Sequence, residues 1–156
     1  MPFLPEHRFP DSVTAFSFIA YRQFGKNIGM LKLVMIAAGG AVGALLRYAI
    51  SGWAQRLANS SFPAGTFFVN LLGCFLIGFL EAFFAGSHLL RDEYRVALLV
   101  GVLGAFTTFS AFGWETFALA KGGQVGLAAA NIILSNGAGL VAVWFGYRMS
   151  KQWFGA

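Results

Sequence analysis

Three stretches of this chain, residues 57–80, 96–114 and 122–147, contain no Asp, Glu, Lys or Arg. Each approaches or exceeds the roughly 20 mostly apolar residues that a helix needs to cross hydrocarbon. A fourth run, roughly 31–54, is apolar apart from Lys32 at its start and Arg47 near its end. A chain of 156 residues has length for one domain, and a domain of that size leaves much of its surface outside any core. Apolar residues make up 58% and charged residues 11%, where a soluble domain carries about a quarter charged. The solvent for most of this surface is therefore lipid.

The expected fold is an all-α membrane protein with spans at roughly 31–54, 64–86, 95–119 and 125–149. Asn59-Ser60-Ser61 before Pro63, Gly86-Ser87-His88, and Gly122-Gly123 supply turns. Connections this short make consecutive helices antiparallel and put both termini on one side. Residues 30–156 form the membrane domain. Residues 1–29 differ, with Pro2, Pro5 and Pro10 among charged residues. They read either as a flexible or interfacial arm or as an upstream start, Met30 being the more usual one. The net charge of +5 comes from residues that flank the spans, which argues against a nucleic-acid partner. Counted from Met30, one side holds Lys32, Arg91, Arg95, Arg148 and Lys151, the other Arg47, Arg56 and Lys121. Five against three is a bias weak enough for insertion in both orientations.

The polar residues inside the spans carry the functional information. Gly39 and Gly43 sit four apart, the spacing that lets two helices approach closely. Position alone favours Arg47 as an interfacial anchor beside Tyr48. The alternative is a vestibule cation that raises local anion concentration. Asn70 needs a partner, because an unpaired amide in hydrocarbon costs several kcal/mol. It is helix glue or part of a hydrated path, and Glu81, eleven residues on, shares its face.

The third span is densest: Gly101-Val102-Leu103-Gly104-Ala105-Phe106-Thr107-Thr108-Phe109-Ser110-Ala111-Phe112. Two glycines ahead of two β-branched hydroxyl residues predict a helix broken mid-span. A break frees backbone carbonyls, which persist in a membrane only when buried or bound. Phe109 and Phe112 are neighbours on one face, and their positive ring edges are able to hold an anion. With 18 Phe in the chain, ordinary packing explains the pair equally well. Glu115 is a functional candidate or an interfacial group. Asn131 and Ser135, with Asn136 adjacent, offer interhelical hydrogen bonds or a pore-lining hydroxyl. Cys74 reads as a small core residue. His7 and His88 both lie outside the spans, and neither a metal cluster nor a Ser-His-acid set is evident, so an enzyme is not expected.

These pieces resemble the Fluc (CrcB) family of fluoride channels, in the family's order across residues 31–149. They are Gly39-Gly40-Ala41-Val42-Gly43-Ala44 ending in Arg47-Tyr48, then Gly65-Thr66-x-x-Val69-Asn70-x-x-Gly73, then Gly101-x-x-Gly104-x-x-Thr107-Thr108-Phe109-Ser110-x-Phe112. The resemblance implies a passive fluoride channel, built as an antiparallel, dual-topology homodimer in a bacterial plasma or inner membrane. It implies Phe109 and Phe112 as ring-edge fluoride contacts, Asn70 as the pore amide, and Thr108, Ser110 and Ser135 as pore hydroxyls. Arg47 would stand near the entrance. Carbonyls of Gly104 and Thr107 would hold a structural sodium ion. Two positions depart from the commonest pattern: Ala111, where Thr is frequent, and Asn131, where some members carry Tyr. The rival class, a small four-helix proton-coupled exporter, depends on a carboxylate in its first span, and residues 31–54 have none.

Overall fold

A computed structural model describes residues 29–86 and 92–155. The extension at 1–28 and the Ser87-His88 turn lie outside the described residues. Among the described residues, four helices are long and apolar enough to cross a membrane: Met30–Ala58, Ala64–Ala85, Glu93–Lys121 and Val125–Phe154. In turn they comprise α1 (Met30–Ala58) and α2 (Ala64–Gly86), then α3 (Asp92–Val96) running into a π-helical stretch, Ala97–Leu103, and α4 (Gly104–Phe106), and finally α5 (Phe109–Lys121) and α6 (Val125–Phe154).

The first and fourth helices outrun the expected spans, 31–54 and 125–149, at their C-terminal ends. Charge ends a run's exposure to hydrocarbon, but it does not interrupt helical hydrogen bonding. What stops α1 is Asn59 in the left-handed region at φ 42°, its amide donating to Gln55 O. What stops α6 is Gly155 at φ 65°, its amide donating to Lys151 O. Gln55 then fixes the connection to α2. Its Nε2 donates to Ser60 O at 2.9 Å and Phe62 O at 3.1 Å, and its Oε1 accepts from Gly65 N at 3.1 Å.

Two close helix pairings build the bundle. A β-carbon at Gly43 would collide with the Val102 carbonyl, and one at Gly39 or Gly101 would press on the facing backbone. The Gly39/Gly43 spacing therefore lets α1 lie against the π-helical stretch. The larger contact, between α2 and α6, was less conspicuous in the sequence. It rests on Gly78 beneath the Val143 carbonyl and Gly146 beneath the Phe75 carbonyl.

Leu99, Gly101 and Leu103 are all buried. In a regular α-helix, residues two apart point to opposite sides. This stretch is covered on both sides, by α1 at Gly101 and by a cluster of Phe84, Leu99 and Leu103 at the other. Elsewhere large apolar side chains stand outward, among them Leu45, Trp53, Leu140 and Val141. Exposed apolar surface on this scale calls for a non-aqueous neighbour.

Candidate functional site

The site is assembled around the two residues between α4 and α5. Thr107 (φ −88°, ψ 160°) and Thr108 (φ −151°, ψ 117°) have extended backbones. The Thr107 amide and hydroxyl bond to Leu103 O within the span, and the other three backbone groups are satisfied from two other helices. Asn70 on α2 donates Nδ2 to Thr108 O at 3.0 Å, and its Oδ1 accepts from Thr108 N at 2.8 Å. One side-chain amide thus replaces a backbone partner on both sides of Thr108. Arg47 on α1 donates Nη1 to Thr107 O at 3.3 Å. Arg47 therefore reaches inward while its neighbour Tyr48 stays exposed. Gly73, three residues after Asn70, leaves the room that the Thr107 methyl occupies.

Thr108 also caps α5, its Oγ1 accepting from Ala111 N at 3.2 Å. Ser110, exposed, shares a hydrogen bond with the Thr108 hydroxyl at 3.2 Å. The diversion of Thr108 N to Asn70 removes the amide that would close a helical turn on the Gly104 carbonyl.

A cleft of about 360 Å³ opens at this level, lined by Asn70, Gly104, Thr107, Thr108, Phe109, Phe112 and Ser135 among others. The Phe109 and Phe112 rings stand 5.4 Å apart, tilted by 43°, within the range of favourable aromatic pairs. Phe109 is 80% exposed in the single chain. Seven residues nominated from the sequence thus converge on one cleft. Arg47 and Ser110 attach to its wall through Thr107 and Thr108. Asn131 stands behind Ser135 and is fully buried.

Three sequence candidates find partners that the pattern did not reveal. Glu81 is ion-paired with Arg95 at 2.7 Å, which accounts for it without a hydrated stripe, and the Arg95 guanidinium lies over the Phe84 ring. Glu115 accepts from Thr66 Oγ1 at 2.7 Å and borders a second cleft with Gln55 and Ser61. Asn131 bonds to Thr116 as well as Ser135. Arg95 stood in the sequence only as a flanking charge, Thr66 only within a motif and Thr116 not at all, because each takes its meaning from a residue on another helix.

The class is defined by this architecture: a multi-pass membrane protein whose polar groups turn inward on a mid-span cleft. Residues 34–147 match the family model described as CrcB-like protein, Camphor Resistance (CrcB), and the chain belongs to that family. Over 124 residues it is 42% identical to a protein of Methylobacillus flagellatus named fluoride-specific ion channel FluC, covering 79% of this chain and 97% of that one. A protein of the same name from Thermus thermophilus is 45% identical over 123 residues, 78% of this chain and 95% of its own. Another from Nitrosococcus oceani is 45% identical over 120 residues, 77% and 96% respectively.

Proposed function

We propose that this chain is a passive, fluoride-selective channel that lets cytoplasmic fluoride leave down its gradient, and that it catalyses no chemical step. The observation that carries the reading is the Phe109–Phe112 pair beside an amide-held mid-span interruption, in a chain whose relatives are named fluoride channels. Fluoride is small and strongly hydrated. A conduit must replace water with weak, multiple contacts, tight enough for entry and loose enough for exit. Ring edges supply positive potential without a formal charge. Asn70 spends one Nδ2 proton on Thr108 and keeps a second. Thr108, Ser110 and Ser135 add hydroxyls, and Arg47 biases the entrance toward anions.

The working unit in this reading is an antiparallel, dual-topology homodimer in the bacterial plasma or inner membrane. Support comes from the cleft itself. Its lining includes Asn70, Thr107, Thr108 and Ser135, polar groups that acyl chains would not satisfy and that a second copy would cover. The interruption at Thr107–Thr108 is then the point where the third spans of two copies meet.

A structural sodium ion fits the oxygen donors there. The Gly104 carbonyl lacks its usual helical donor, and the Thr107 carbonyl keeps one lone pair beside Arg47. Gly104 and Thr107, with the same pair from a second copy, would hold the ion, and it would supply fixed positive charge between two anion paths. Arg47 makes Thr107 the weaker donor of the two.

Liposomes loaded with fluoride test the function. Purified protein should release fluoride rapidly and retain chloride. Vesicles that stay tight to fluoride would sink the proposal.

A further inference from the structure

Behind the cleft runs a chain of hydrogen bonds whose direction is set at one end. Thr116 Oγ1 lies 2.7 Å from Phe112 O. A carbonyl only accepts, so the single hydroxyl proton of Thr116 is committed there. The Asn131 group 2.8 Å from Thr116 Oγ1 must then be the donor, Nδ2. That orients the Asn131 carbonyl oxygen toward Ser135, whose Oγ lies 3.2 Å from it and has to donate. Asn131 is 1% exposed, whereas the residues that follow it, Ile132 and Ile133, are exposed. Ser135 lines the cleft and Asn131 does not.

The consequence falls on Ser135. A hydroxyl has one proton, and here it points at Asn131 instead of into the cleft. What Ser135 presents to an approaching anion is an oxygen lone pair. We infer that Asn131 is a positioning residue: its amide oxygen competes with the passing anion for the Ser135 proton and keeps the Ser135–anion contact weak and easily released. This rests on the fluoride reading above. Thr116 is the residue that keeps the amide from turning over and reversing the effect.

The test measures fluoride flux from liposomes as a function of fluoride concentration, separating half-saturation from maximal rate. Asn131→Leu removes the competing acceptor at similar volume. Half-saturating fluoride should fall by about threefold or more, the size of one modest hydrogen bond, without a matching rise in maximal rate. In a Ser135→Ala background the same substitution should leave half-saturation unmoved. Thr116→Val, which does not touch Ser135 and meets the cleft residue Phe112 only at its backbone carbonyl, should also shift half-saturation, and Thr116→Ser should restore it. If Asn131→Leu does not yield folded protein, Thr116→Val against Thr116→Ser carries the test alone.

A fall in maximal rate with half-saturation unchanged in these variants would overturn the inference and leave the channel reading intact. Wild-type protein that passes no fluoride would instead overturn the channel reading.

Discussion

The two halves of the third span are held in place by different forces. From Glu93 to Phe106 the chain is packed: Leu99, Gly101, Leu103 and Phe106 are buried, and the backbone lies against glycines of α1. From Phe109 to Lys121 the single chain leaves it mostly exposed, with Phe109, Trp114 and Phe117 open and only Leu119 buried. The second half is located by hydrogen bonds, at Thr108 to Asn70, at Glu115 to Thr66 and at Thr116 to Asn131. Close packing punishes any added volume. A helix positioned by a few polar bonds tolerates volume changes and is sensitive to the loss of a donor or acceptor. The first half is built as a foundation and the second as an adjustable wall.

Substitutions in each half should separate these roles. The largest effect is expected from Gly43→Val. Its β-carbon would strike the Val102 carbonyl, at a cost of at least about 3 kcal/mol, and size-exclusion chromatography in detergent should show aggregated protein. Survival of a folded species would break the contrast. Asn70→Leu comes next. It strands both polar groups of Thr108, about 1–3 kcal/mol for each group left buried without a partner. Thermal unfolding should drop clearly, and fluoride flux should be lost. Phe112→Ile sharpens the comparison from the other half: flux should vanish while stability changes by about 1 kcal/mol, a shape change at a loosely packed site.

Glu81→Ala removes one partner of an ion pair that is only partly buried. It should cost about 1 kcal/mol, and replacing Glu81 and Arg95 together by Leu should recover most of it. The smallest effect belongs to Ser110→Ala, whose bond to Thr108 is exposed. A stability change above about 0.5 kcal/mol would mean that this half, too, is packed.

The spans were legible because the absence of charge over some twenty residues has one physical meaning. Their ends were not, since left-handed residues such as Asn59 and Gly155 stop a helix wherever the backbone turns, charged or not. The glycine spacing of α1 announced a tight contact, but nothing local named the π-helical stretch as the opposing surface. Asn70 had to find a partner, and the sequence had no means to choose between another helix's backbone and water. Arg47 was harder: by position it is an anchor, and only the fold brings the Thr107 carbonyl within its reach. The shared face of Asn70 and Glu81 left the partner of Glu81 open, because helical periodicity describes one helix, while Arg95 comes from the next. Phe109, Phe112 and Ser135 were individually ordinary, and their convergence on one cleft is a property of the bundle.

Every hydrogen-bond partner of the Gln55 side chain lies between residues 60 and 65. The turn joining the first two spans is therefore fixed from within that hairpin and requires nothing translated later. The third span takes its packing surface from α1 and its amide tether from α2. As the chain emerges from its N-terminus, the segment with the least regular backbone meets a template that is already complete on both sides.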